Sequence, residues 1–291
     1  MKRNAKKMRK LMKNISMVAI TLVFVFPLVW MFLLSFKTDN EIFNEPLALP
    51  VSFSLNNYLK AFRTLNIGIL YKNTFLIAVT TVVVTLVITF MSSYALSRMV
   101  FHNKKLKKTI KTYFLLGMMI PPFILLFPVY RLSVIMRIHG SFLSLILPYI
   151  AIEISFNTLL FTGFFSELPG EVEEAAIIDG CGLLKLCVFV IMPMSTPIIT
   201  TVFIFNVLHV WNEFPLASVL LPDPGMYTVP LATSFFKGQY TVDYSGIIAT
   251  NVLIIIPQLI FYGFFQKYIV EGMTAGAVKG PTRVVHLRLF Q

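Results

Sequence analysis

The chain has 291 residues, of which 57% are hydrophobic and 13% charged, and its formal net charge is +12. Soluble domains carry about 25% charged residues, so an ordinary water-soluble globular domain is excluded and a multi-span membrane protein is the class to test. The positive charge follows membrane topology, as the chain order below makes plain, and nucleic acid is therefore not read as a partner.

Residues 1–14 are a basic N-terminus that holds Lys2, Arg3, Lys6, Lys7, Arg9, Lys10 and Lys13 and no acid. The uncharged run that follows is too long for a signal-peptide core, and no small-x-small site precedes Lys37, so it reads as a retained first span. A spanning helix needs about 20 mostly apolar residues. Six windows meet that need, at about 15–36, 73–97, 111–130, 142–163, 198–220 and 247–267, and they read as apolar all round. The whole stretch 15–267 is expected to form one six-helix transmembrane domain.

The first connecting segment, 37–72, contains Lys37-Thr38-Asp39-Asn40-Glu41, Pro46 and Pro50. The second, 98–110, is short and basic, with Arg98, Lys104, Lys105, Lys107 and Lys108. The third, 131–141, carries Arg131, Arg137 and Gly140. The fifth, 221–246, carries Pro222, Pro224 and Gly225. The segment from 268 to 291 is glycine-rich and reads as an extended tail. With the N-terminus in the cytoplasm, the basic segments fall on the cytoplasmic side, as the positive-inside rule requires, and both termini are cytoplasmic. Prolines Pro27, Pro121-Pro122, Pro128, Pro148, Pro215 and Pro257 fall within the windows and are expected to bend them.

The fourth connecting segment, 164–197, is cytoplasmic in this topology yet begins with acids: Glu167, Glu171, Glu173 and Glu174. Pro169 is suited to starting a short helix, whose first turn would hold the acids against the helix dipole, and Gly180 is suited to ending it. A second short helix over 182–192 would run to Pro193. Such a pair lies at the membrane surface and presents a knob.

The residues Glu174-Ala175-Ala176, Asp179-Gly180, Pro193 and Pro197 are spaced as in the coupling loop of ATP-binding-cassette importer permeases, and the chain resembles that family. The resemblance extends along most of the sequence and points to the carbohydrate branch, in particular the smaller of the two maltose-type permeases. It is carried by Phe36-Lys37-Thr38-Asp39 with Asn56-Asn57-Tyr58, by Tyr94-Ala-Leu-Ser-Arg98, by Trp211-Asn212-Glu213-Phe214 and by Gly272 to Gly280. It implies an all-α fold of six transmembrane helices and a coupling helix that docks into a groove on a separate ATPase. The docking residues would be Glu174, Ala175, Ala176, Asp179, Gly180, Cys181, Lys185, Pro193 and Pro197. Cys181, Cys187 and the single base Lys185 depart from the family pattern and would weaken or tune that contact. The implied assembly contains a second homologous permease, two ATPases and an extracytoplasmic sugar-binding protein, set in the bilayer of a bacterial cytoplasmic membrane.

The chain contains no Gly-x-x-x-x-Gly-Lys-Ser/Thr phosphate loop, so hydrolysis, with its ATP and magnesium, would belong to the partner ATPase and no cofactor to this chain. Histidines 102, 139, 209 and 286 are dispersed, which argues against a membrane enzyme. Cys181 and Cys187 match no metal-ligand spacing.

Ionisable and amide side chains inside spans are candidate functional groups. Glu153 and Asn157 share a helix face, as do Asn206, His209 and Glu213, with Asn212 beside them and Asn251 in the last span. They fit a hydrated sugar pathway, or hydrogen bonding that ties the bundle together; a protonated structural Glu153 is a third reading. An ion-coupled secondary transporter or channel is the alternative function, since Glu153 and Glu213 are carboxylates at membrane depth.

Overall fold

The computed structural model describes the backbone of residues 2–275 and the side chains of residues 7–267. The described residues are helical apart from short connections. They run as α1 (Lys2–Leu34), α2 (Asp39–Asn44), α3 (Asn56–Thr64), α4 (Ile67–Arg98), α5 (Lys104–Leu116), α6 (Leu126–Ile135) and α7 (Leu143–Glu167). There follow α8 (Glu171–Ile178), α9 (Leu183–Lys185), α10 (Met192–Met194), α11 (Thr196–Asn212), α12 (Pro215–Leu220) and α13 (Tyr244–Ala275).

Helices α1, α4, α7 and α13 each contain a stretch long and apolar enough to cross a membrane. The third and fifth windows differ from the expectation of single straight spans. Residues Lys104–Met119 and Pro122–Ile135 meet at 95°, because Pro121 and Pro122 interrupt the amide ladder between them. Leu183–Met194 and Thr196–Asn212 meet at 79°, and the fifth window then ends at Asn212, with α12 restarting at Pro215. Counting each bent pair as one span gives six. Pro27, Pro148 and Pro257 stay inside helices. At the far end α13 continues through Ala275, so the extended tail expected from 268 is helical there; the rest of the Gly272–Gly280 signature lies outside the described residues.

The chain forms two compact units, one from the residues up to Leu70 with Val229–Leu259, the other from Tyr71–Thr228 with the residues from Ile260. In the first, the motif residues before and within α3 bind one another. Asn57 Nδ2 donates to the carbonyls of Ser35 and Lys37, both at 2.8 Å, and the hydroxyls of Ser35 and Tyr58 lie 2.6 Å apart. Lys37, 1% exposed, donates to the Glu45 carbonyl. Thr38 and Glu41 form a capping box that starts α2. Asp39 accepts from the Ser245 amide at the start of α13.

In the second unit the core is aromatic. Phe90 and Tyr94 of α4 pack edge-on against Phe161 and Phe165 of α7. Leu186, Cys187 and Ile191, which lie on a π-helical stretch between α9 and α10, and Ile198 and Val202 of α11 complete the cluster. Gly117, just past α5, lies against α7 so closely that a Cβ there would meet the Ser155 hydroxyl at 2.1 Å. The reading of the second window as apolar all round is corrected here. Thr81, Thr85, Thr89 and Ser93 recur every fourth residue of α4 and are all 0% exposed, a polar seam along an otherwise hydrophobic helix.

Candidate translocation and coupling sites

The polar residues of α7 and α11 meet inside the second unit. Glu153 is 5% exposed, and its Oε1 lies 3.2 Å from His209 Nδ1. Asn206 stands one turn before His209 on α11. These three line a cavity of about 220 Å³ with Ile152, Phe156 and Phe205. Phe156 and Phe205 meet edge to face at 5.6 Å, and the Tyr149 ring lies edge-on to His209 at 6.0 Å.

This region holds more buried polar atoms than protein partners. Among the described residues, both side-chain polar atoms of Asn157, one oxygen of Glu153, the amide nitrogen of Asn206 and the hydroxyls of Thr81 and Thr158 accept or donate no hydrogen bond. Asn157 and Thr158 are fully buried. Buried polar groups normally find protein or water partners, and leaving one without any costs about 1–3 kcal/mol. Of these unpaired atoms, the Glu153 oxygen and the Asn206 amide belong to the cavity lining, which therefore has hydrogen-bonding capacity to offer a hydroxylated solute, next to aromatic edges.

Glu213 and Asn212 are placed differently. Glu213 leaves α11 in an extended conformation, so it does not continue the Asn206–His209 helix face. It accepts from the amides of Leu216 and Ala217 at the start of α12, and from Tyr149 Oη at 2.5 Å. Tyr149 is one turn from Glu153, so Glu213 joins the cluster through that hydroxyl while capping the next helix. Asn212 is exposed and donates back to the Leu208 carbonyl. Asn251 is half-buried on α13, in the other compact unit.

The acidic loop folds much as its spacing suggests. Helix α8 begins at Glu171, with Gly170 rather than Pro169 before it, and carries Glu171, Glu173 and Glu174 in its first turn. Gly180 follows at φ +78°, a left-handed conformation that glycine adopts without strain, and its amide donates to the Ile177 carbonyl. The second short helix is split into α9, the π-helical stretch and α10.

The loop has two faces. Glu174, Ala175, Asp179, Gly180 and Lys185 are exposed, as are Pro193 and Pro197. Ala176 and Cys181 turn inward onto the aromatic core, and Cys187 is buried in it as a free thiol. The outward face also carries Ile177 and Ile178, 60% and 85% exposed, and Leu184, 69% exposed. The sequence pattern had not singled these out, although three large apolar side chains beside an Asp-Gly turn were a visible signal.

A second missed feature is the anchor of α8. Glu173 pairs with Arg98 Nε at 3.2 Å and accepts from Tyr94 Oη at 3.3 Å, while Arg98 also donates to the Leu168 carbonyl. Tyr94 and Arg98 had been noted as a motif at the end of a helix. Their spacing of four puts both on one face of α4, where they hold the start of the loop.

The sequence profile described as "Binding-protein-dependent transport system inner membrane component" matches residues 88–275. The chain belongs to this permease family. Among its relatives are the sulfoquinovosyl glycerol transport permease SmoH of Agrobacterium fabrum, 30% identical, and the trehalose/maltose transport permease MalG of Thermococcus litoralis, 29% identical. The alignments cover 88% of this chain and 89% of SmoH, and 94% of this chain and 98% of MalG. The fold is that of a bacterial ABC transporter chain involved in the import of the acidic polysaccharide alginate, with a TM-score of 0.73 at 20% identity over 91% of this chain and 97% of that one. An importer permease of this family is a multi-pass component that works with an ATPase and a binding protein. The ion-coupled alternative has no support in this kinship.

Proposed function

We propose that this permease carries a sugar or sugar derivative inward across a bacterial cytoplasmic membrane by alternating access, with both termini in the cytoplasm. The relatives named for sulfoquinovosyl glycerol and for trehalose and maltose support a carbohydrate cargo. The pathway would run past Glu153, Asn157, Asn206 and His209, where the unpaired atoms of Glu153, Asn157 and Asn206 suit sugar hydroxyls, with Phe156 and Phe205 supplying apolar edges. Glu213 would hold Tyr149 and the α11–α12 break in place. The working unit would be two homologous permeases, two ATPases that bind ATP and magnesium, and an extracytoplasmic sugar-binding protein.

The observation that carries the coupling part is the two-faced loop 171–197. Its outward face offers Glu174, Asp179, Ile177 and Ile178 to a groove, and its inward face is fixed to α4 and α7. A push on the exposed knob would pass through the Arg98–Glu173 pair and the aromatic core to the helices that line the cavity.

The test is co-purification of the ATPase with wild-type chain and with Glu174→Lys, Asp179→Lys and Gly180→Pro. Proline cannot adopt the positive φ at 180, so the third variant removes the turn itself. Each is expected to reduce ATPase recovery and sugar uptake together. Unchanged recovery and uptake in all three would refute the coupling assignment.

A further inference from the structure

A second pocket in the same unit is lined by four lysines. Helix α5 presents Lys104, Lys107, Lys108 and Lys111 at spacings of three and four, the repeat of a single helix face. That face closes a cavity of about 370 Å³ against the ends of α4 and α7, where Ser97, Thr162 and Ser166 add hydroxyls. Lys107 is held in position by the carbonyls of Ser97 and Met99 and by the Phe101 ring. The Ser97 hydroxyl is buried and has no hydrogen-bond partner among the described residues. None of the four lysines is in an ion pair among those residues. Like charges three and four apart on a helix repel one another, so the arrangement is destabilising until an anion enters.

Topology alone asks for basic residues in a cytoplasmic segment, but not for their convergence on a cavity. Lys105, on the same helix, satisfies the same rule and does not line the pocket. The lysine face also changes character along the helix. One turn beyond Lys111 it continues as Leu115, and the tighter turn Gly117–Met119 that follows the helix carries Met118, which is 48% exposed. A ligand with a phosphate at one end and hydrocarbon at the other matches this order.

We infer that the pocket binds the headgroup of an anionic phospholipid, with lysine ammonium groups and serine and threonine hydroxyls on the phosphate and the acyl chains along Leu115 and Met118. A lysine near an anionic headgroup contributes enough to change affinity about fivefold. The site needs only that the chain spans a membrane, and is independent of how the 171–197 loop couples to an ATPase.

The experiment is native mass spectrometry of the transporter purified from membranes and exposed to phosphatidylglycerol or to phosphatidylcholine. Wild type is expected to retain phosphatidylglycerol and not phosphatidylcholine. Lys108→Gln and Lys111→Gln should each weaken retention about fivefold, Lys108→Arg should keep it, and Lys105→Gln should leave it unchanged. Equal losses in Lys105→Gln and Lys108→Gln would reduce the effect to diffuse surface charge and overturn the site. Displacement of the lipid by inorganic phosphate at equal concentration would assign the pocket to a soluble anion instead. Retention that none of the pocket variants changes would overturn it outright.

Discussion

On α7 and α11 the polar side chains point inward and outnumber their protein partners, whereas around α8 most of them point outward and buried hydrophobic side chains hold the element down. The inner region is poor in satisfied hydrogen bonds: Glu153, Asn157 and Asn206 are buried and each keeps a polar atom without a partner among the described residues. The outer region is the reverse. Its charged residues have room, and one ion pair with one aromatic cluster fixes it. Substitutions inside should therefore change what the permease carries, while substitutions outside should change what drives it.

The largest effect is expected at the junction between the two. Arg98→Ala removes the partner of Glu173 and the bond to the Leu168 carbonyl. Breaking a buried pair costs about 3–5 kcal/mol, and with both side chains partly exposed the loss here should be about 2 kcal/mol. Thermal unfolding of the purified chain should show it, and sugar uptake should fall with it. The exchanged pair, Arg98→Glu with Glu173→Arg, should restore part of both. If Arg98→Ala unfolds and transports like wild type, the anchor does not connect the two regions.

The comparison sharpens at Glu153. Glu153→Gln keeps the side-chain shape and replaces the carboxyl with an amide, and it is expected to lower uptake about tenfold, which is about 1.4 kcal/mol, with ATPase recovery unchanged. A drop in stability with normal uptake would instead make the His209 contact a bundle tie. Tyr149→Phe is expected to cost about 1 kcal/mol, because Glu213 keeps its two amide donors and loses only the phenol. It is read as a melting-temperature shift, and a change in ATPase recovery would contradict the separation of the regions.

Four of the six expected windows fall on single long helices, because a run without charge marks a long apolar segment, while the third and fifth are broken at Pro121-Pro122 and after Asn212, which charge gaps do not report. The helix and turn at 171–180 were legible because Gly180 and the acids at 171, 173 and 174 each answer a local backbone demand. What local pattern does not encode is which elements meet. The motif at Tyr94 and Arg98 gave no sign that its partner would be Glu173, far along the chain. Glu213 looked like part of a helix face because periodicity does not announce that α11 stops at Asn212. The Thr81–Ser93 seam was present as a four-residue spacing, but the high hydropathy of the surrounding residues concealed it, and only the packing of α4 against α7 shows that this face is buried.

The smallest expected effect comes from a polar group that belongs to neither region and tests whether effect size follows burial. Asp243, just before α13, is paired with Lys60 and accepts from the Gly246 amide and the Ser245 hydroxyl. Burial pushes its pKa up, but the Lys60 contact and these hydrogen bonds outweigh burial and leave it below the ordinary 3.8. A carboxyl held below its unfolded value stabilises the fold at all pH above that value, and the contribution is lost as pH falls through the lowered one. Acidification should therefore leave this contribution intact at neutrality and erode it only below pH 3.8. Lys60 is 58% exposed, so Lys60→Ala should cost at most about 1 kcal/mol at neutral pH, visible as a small melting shift. A loss as large as that of Arg98→Ala would mean that burial does not set the scale, and that the contrast between the inner and outer regions needs another cause.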